Sequence, residues 1–273
     1  MQKIKFTLLM CTYKNDNPLI LEKAIKSIYE NSIIPNQFIL TIDGPIPEEN
    51  EKVIKRLSKI FPLKLNYLSI NIGLAKALNK SLEMVKTEWI ARADSDDISL
   101  SERFSIQIIQ ARNDHDIIGS LVKEIDYEKN IPDLIKKIPL KDKEIKKYLK
   151  FRNPINHMTV FGKTELIRKV GGYPNIYLKE DYGLWIKLAS IGAKFHNINK
   201  VLVIASGGNS LYKRRSGIRS ALSEIKLQYM FLKYKLKPLH KIIIDLIIRS
   251  TFLLLPNNLN KNIYIKKFRV KNK

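Results

Sequence analysis

The first hundred residues alternate two patterns of apolar and polar positions. Short apolar runs at Lys5–Cys11, Phe38–Ile42, Lys64–Ser69 and Trp89–Ala93 read as strands. Between them, Leu19–Tyr29, Glu48–Ile60 and Leu74–Val85 carry apolar residues at helical spacing. The alternation predicts an α/β fold, with a mostly parallel sheet flanked by helices. In such sheets ligands bind beyond the carboxyl ends of the strands. Those ends read Thr12-Tyr13, Asp43-Gly44, Asn71-Ile72-Gly73 and Asp94-Ser95-Asp96-Asp97, and they are expected to meet in one crevice.

Further along, the pattern weakens. Asp116 to Tyr148 is charged and less periodic and reads as a connecting surface region. Phe151 to Phe161 joins a proline turn to a strand-like run, with His157 at the junction. Glu180-Asp181 opens a helix that runs on through Leu184, Ile186 and Leu188. Acids suit a helix N-terminus, and a carboxylate beside Tyr182 and Trp185 is also where a partly desolvated general base would stand. Leu239 to Leu255 is apolar apart from Lys241, Asp245 and Arg249, one narrow polar stripe. Seventeen residues rise about 25 Å as a helix, short of the ~30 Å hydrocarbon core, so this segment is expected to pack on the protein or lie in a membrane interface. The expected division is a domain over 1–215 and a helical, basic, membrane-associating tail over 216–273.

Composition adds two constraints. A lone cysteine, Cys11, inside an apolar run argues against a disulfide framework or a zinc site and fits a reducing compartment. Met1 to Phe6 leads into a strand and is too short for a signal peptide or a spanning helix. The formal charge is +23, and Lys213 to Lys273 holds sixteen Lys and Arg against two acids, Glu224 and Asp245. A basic tail of this kind seeks phosphate, on nucleic acid or on anionic lipid headgroups.

Three carboxylates in four residues point to specific chemistry. Asp94, Asp96 and Asp97 repel and raise one another's pKa unless a cation neutralises them. An all-oxygen set suits Mg²⁺ or Mn²⁺, and the expected companion of that metal is a phosphate. The plainer alternative is a helix cap at Asp97 or Ser99, but a cap needs one acid. Neither a dinucleotide fingerprint nor a P-loop is present. Asp43-Gly44-Pro45 and Asn71-Ile72-Gly73 each also fit ordinary turn chemistry.

Taken together, these clusters resemble the family 2 glycosyltransferases of GT-A fold, inverting enzymes that use nucleotide-diphosphate sugars. The likeness runs from about Phe6 to Gly217. Phe6 to Asn15 is similar to the family's first strand and the turn, here Thr12-Tyr13, that meets the nucleotide. Asp43 stands where the family sets a carboxylate against uracil. Asn71 to Asn79 looks like its N-x-G-x-x-x-A-x-N segment, with Leu78 in place of the usual arginine. Asp94-Ser95-Asp96 resembles its DxD motif, and Glu180-Asp181 its paired acids, of which the aspartate is the base. Asn153 to His157, Lys213 to Gly217 and Ile263 to Arg269 bring the chain near bacterial capsule, O-antigen and exopolysaccharide enzymes of the amylovoran biosynthesis type.

The resemblance implies that Asp94, Asp96 and Asp97 hold Mn²⁺ or Mg²⁺ and that Arg214 and Arg215 clamp the diphosphate. It further implies that Asp181 is the catalytic base, with Glu180, Trp185 and His157 lining the acceptor side. A UDP-sugar donor, a lipid-linked saccharide acceptor and peripheral attachment to the cytoplasmic face of the inner membrane follow as expectations, without nucleic acid. The rivals are a basic nucleic-acid- or membrane-binding protein without catalysis, and a sugar nucleotidyltransferase. The first leaves the acid clusters without a role. The second lacks its Gly-rich, Arg-containing loop after Cys11.

Overall fold

The computed structural model describes residues 4–125, 134–206, 217–254 and 269–271. Strand β1 (Phe6–Thr12) is buried along its whole length, as its unbroken apolar run requires of a central strand. Leu8 and Met10 point to one face and Leu9 and Cys11 to the other. Helix α1 (Pro18–Tyr29), strand β2 (Gln37–Asp43), helix α2 (Glu48–Ile60), strand β3 (Leu63–Leu68), helix α3 (Leu74–Glu83) and strand β4 (Trp89–Arg92) follow. Each lies within two residues of its expected bounds. Strands β3, β2, β1 and β4 pair in parallel, as the alternation predicts.

The second half adds antiparallel pairings and makes the sheet mixed. Short β5 (Ile98–Ser99) and helix α4 (Arg103–Arg112) precede β6 (Ile117–Ile125), β7 (Leu134–Lys136), helix α5 (Asp142–Leu149), a 3-10 turn at His157–Thr159 and β8 (Phe161–Lys163). Then come helix α6 (Thr164–Lys169), helix α7 (Glu180–Ser190) and the long β9 (Phe195–Ser206). Strand β8 lies antiparallel between β4 and β6, and β6 also pairs with β9 in parallel and β7 antiparallel. The start of the supposed connecting region is therefore an interior strand: Ile117 and Ile118 are fully buried. Its charges, Lys123 and Glu124, fall at the far end, where the strand leaves the core.

Helices α8 (Ile218–Lys233) and α9 (Leu239–Leu254) end the helical part, and β10 (Arg269–Lys271) pairs with β7 at the sheet edge. Among the described residues beyond 215, the buried side chains join a core that the earlier elements supply. Leu227, Phe231 and Ile242 are buried in the cluster that holds Leu9, Leu78, Leu184 and Trp185. On the opposite face of the sheet, α1, α2 and α4 supply Ile25, Leu57 and Phe104 to a second cluster.

Candidate active site

At the end of β1, Asp16 organises the loop. Its Oδ2 accepts from Thr12 Oγ1 at 2.9 Å, from Ser95 Oγ at 2.7 Å and from the Tyr13 amide at 3.3 Å. Burial pushes its carboxyl above the ordinary range, against the pull of those bonds. One side chain thus ties the Thr12-Tyr13 turn to the acid cluster. At the end of β2, Asp43 is buried and accepts from the amides of Ile72 at 2.8 Å and Gly73 at 2.9 Å, while Asn71 Nδ2 donates to the Asp43 carbonyl at 3.0 Å. Each Asp43 oxygen keeps a second acceptor site. Gly44 is required here. It sits at φ +86°, and a Cβ would run into the backbone of Asn71.

Asp94, Asp96 and Asp97 lie just past β4, with one oxygen from each within 4.8 Å of the others. Helix α4 begins only at Arg103 and has no side-chain cap, so neither Asp97 nor Ser99 caps it. Asp97 is buried; its Oδ1 accepts from the Ser206 amide at 3.1 Å, and its Oδ2 has no hydrogen-bond partner. Burial, then the Asp94 and Asp96 charges, raise its carboxyl well above the ordinary range. Below the cluster lie two fully buried guanidiniums. Arg92 pairs with Asp94, and Arg103 donates to the Arg92 carbonyl at 2.5 Å and to Ser99 Oγ at 2.8 Å. Burial pulls Arg103 down to about 9, against Asp97. Three crowded carboxylates, one with an orphaned buried oxygen, fit a hard divalent cation that takes oxygens at about 2.1 Å.

The second group of acids stands at the start of α7. Asp181 accepts from Asn153 Nδ2 at 2.5 Å and from the Tyr182 amide at 2.7 Å. Glu180 is buried and pushed up to about 8, first by burial and then by Asp181, with Asp94 adding to the effect. His157 lies behind them, its Nε2 3.3 Å from the Tyr173 hydroxyl. Burial and the Arg92 charge pull it down to about 4, so it is neutral. The His157 ring also meets that of Trp185 on α7 edge-on at 6.4 Å between centroids.

Asp16 thus joins the Thr12-Tyr13 turn to the acid cluster, Asp43 joins the Asn71-Ile72-Gly73 loop to β2, and one expectation is corrected. Trp185 is fully buried in the core, packed with Leu184, Ile186 and Leu188 of the same helix, and it offers no face to a ligand. Arg214 and Arg215 lie outside the described residues. Asp16, Arg92 and Arg103 were not singled out from the sequence, and Asn153 was named only within the Asn153 to His157 stretch. Only Asn153 had a signal, in the Asn-Pro turn that precedes His157.

Comparison with known proteins agrees with this geometry. The chain matches the family model described as Glycosyl transferase family 2 over residues 7–171. It is 39% identical to the UDP-Gal:alpha-D-GlcNAc-diphosphoundecaprenol beta-1,3-galactosyltransferase of Escherichia coli, over 97% of both chains. It is 29% identical to the amylovoran biosynthesis glycosyltransferase AmsE of Erwinia amylovora, over 96% of this chain and 98% of that one. In fold it is similar to Staphylococcus aureus TarS 1–349 in complex with UDP-GlcNAc, at a TM-score of 0.70 and 15% identity, covering 97% of this chain and 76% of that one. The mannosyltransferase PcManGT of Pyrobaculum calidifontis in complex with GDP-Man and Mn²⁺ gives a TM-score of 0.65 at 16% identity, covering 97% and 76%. The α/β frame, the acid clusters and these relatives agree, and the chain belongs to glycosyl transferase family 2.

Proposed function

We propose that this glycosyltransferase moves a sugar, galactose in the first instance, from a UDP donor to a lipid-linked saccharide acceptor in bacterial surface polysaccharide synthesis. The carrying observation is the pair of carboxylate groups, Asp94-Asp96-Asp97 just past β4 and Glu180-Asp181 at the start of α7. The 39% identical relative, whose name specifies UDP-Gal and a GlcNAc-diphospholipid, supports the choice of donor and acceptor. An acceptor carried on a lipid puts the reaction at a bilayer surface, so the enzyme is peripherally attached. No helix among the described residues is long and apolar enough to cross a membrane.

In this reading the Thr12-Tyr13 turn, Asp43 and Asn71 receive the nucleotide. Asp94, Asp96 and Asp97 would hold Mn²⁺ or Mg²⁺, which supplies charge neutralisation for the departing diphosphate. Arg92 and Arg103 hold the acids in place from below. The acceptor hydroxyl oxygen attacks the anomeric carbon, the bond to the diphosphate oxygen breaks, and UDP leaves with the bonding pair, which inverts the centre. Asp181 takes the hydroxyl proton, with its carboxylate oriented by Asn153 and the Tyr182 amide. Glu180, held neutral near pH 7 by its burial, donates a hydrogen bond to the acceptor. Two adjacent carboxyls thus take two roles because their surroundings differ.

Thermal shifts with UDP, GDP, dTDP and CMP, each with and without Mn²⁺, test the donor side. A rise with UDP that needs Mn²⁺ and is lost in Asp96→Ala is expected. A response to another nucleotide alone overturns the donor assignment. Asp181→Asn is expected to slow transfer by about 10²–10⁴-fold with UDP binding kept, and near-normal turnover overturns the assignment of the base.

A further inference from the structure

Helices α8 and α9 bury one apolar side in the core, yet turn a second row of apolar side chains to solvent and their acids inward, unlike a surface helix with one apolar stripe. On α8, Ile218, Leu222, Ile225, Tyr229 and Leu232 follow helical spacing down one side, and all are exposed, from 44% at Leu232 to 73% at Ile218. On α9, Ile243, Ile244, Ile247 and Ile248 are each at least half exposed. Two charges of α9 face the protein: Asp245 pairs with Lys237, and Arg249 pairs with Glu224 of α8 and donates to the Phe151 carbonyl. These two helices hold half of the twenty exposed large apolar side chains among the described residues, so the patch is concentrated rather than scattered.

The charge around this surface decides what fits it. Lys226, Lys233, Lys235 and Lys241 are exposed along α8 and at the turn into α9. Both acids of the region, Glu224 and Asp245, are held in inward ion pairs. The outward surface is therefore apolar and cationic, without an exposed carboxylate among its described residues. A second copy of the chain would set lysines against lysines, and nucleic acid has no use for a row of isoleucines. A bilayer with anionic headgroups satisfies both features, taking the apolar side chains at the acyl boundary and the lysines at the phosphates.

We propose that the outward sides of α8 and α9 dock the enzyme on an anionic phospholipid surface. This deepens the lipid-linked acceptor reading and rests on it for its purpose, although the surface itself is argued independently. Full-length protein is mixed with phosphatidylcholine vesicles, with and without phosphatidylglycerol, and sedimented. Sedimentation with the phosphatidylglycerol vesicles is expected, and Ile225→Gln/Tyr229→Gln/Ile244→Gln/Ile247→Gln is expected to lower partitioning about tenfold or more. Lys226→Gln/Lys233→Gln is expected to lose most of the preference for phosphatidylglycerol.

All six positions are exposed, so the UDP thermal shift and the transfer rate to a short-chain, water-soluble diphosphate-linked GlcNAc should stay within about twofold of wild type. Wild type that stays in the supernatant overturns the docking proposal, as does an apolar variant that sediments like wild type. So does wild type that dimerises through this face, becoming monomeric in the apolar variant, without binding vesicles. Vesicle binding that depends on these residues, with no transfer to the soluble acceptor, supports docking and overturns the acceptor reading instead.

Discussion

Glu180 and Asp181 are neighbours in sequence with different surroundings. Asp181 stands half-buried at the helix start with two hydrogen bonds to its oxygens. Glu180 is buried, and its carboxyl is raised to about 8. The folded protein thus holds the Glu180 proton more tightly than the unfolded chain, whose glutamate releases it near the ordinary 4.5. Its contribution to stability is fully present below about pH 4.5 and is lost as pH rises through about 8. Urea denaturation between pH 5 and pH 9 should therefore show wild type losing stability relative to Glu180→Gln as pH rises. Parallel curves would mean that Glu180 is hydrated and normal. The acid runs at Asp94 to Asp97 and at Glu180-Asp181 are legible in the sequence because crowded like charges need a reason. Asp16 is not, since one aspartate in a polar loop carries no pattern; only the fold brings Ser95 against it. Arg92 and Arg103 read as ordinary charges until burial reveals them as the floor beneath the acids.

Among the elements, α7 is the one on which the site depends, and it is anchored from the C-terminal helices. Lys179, the residue before α7, pairs with Glu224 of α8, which Arg249 of α9 and Gln228 also hold. Burial works to raise the Glu224 carboxyl, but Lys179 and Arg249 outweigh it and hold it below the ordinary range. That stabilisation is present above about pH 4.5 and fades as pH falls through the lowered value. Glu224→Gln leaves two cations without their shared anion. Both are partly exposed and regain water, so the expected loss is about 1–3 kcal/mol in urea denaturation. Because the pair fixes the start of α7, a fall in turnover with little change in UDP binding should accompany it. The helical pattern of α7 is readable from Leu184, Ile186 and Leu188, whereas this anchor joins residues 45 positions apart and leaves no local trace.

For the molecule as a whole, the boundary expected at residue 215 crosses a shared core, and we propose that the chain cannot be cut there. Leu227, Met230, Phe231 and Ile242 sit in the main core, and Phe231 meets the Tyr182 ring edge-on at 6.0 Å. Burying four such side chains is worth roughly 6–12 kcal/mol, comparable to the whole stability of a domain. A chain ending at residue 215 is therefore expected to be insoluble or unfolded, with no cooperative melting transition. A truncated chain that melts cooperatively and binds UDP would restore the two-part division. The net charge of +23 is shared unequally along the sequence, with sixteen Lys and Arg against two acids from Lys213 to Lys273.

Local information in the chain was enough to determine the parallel β3-β2-β1-β4 core, the polar clusters at its strand ends, and the metal-suited acids. Apolar period, turn residues and charge crowding are all properties of neighbours in sequence. Tertiary structure alone decided that β6 is an interior strand, that Trp185 is core, that Asp16 ties two strand ends together and that Asp245 and Arg249 of the α9 stripe face inward. Each of these depends on which partner arrives from far along the chain, and burial, which sets both packing and pKa, is a property of that arrival.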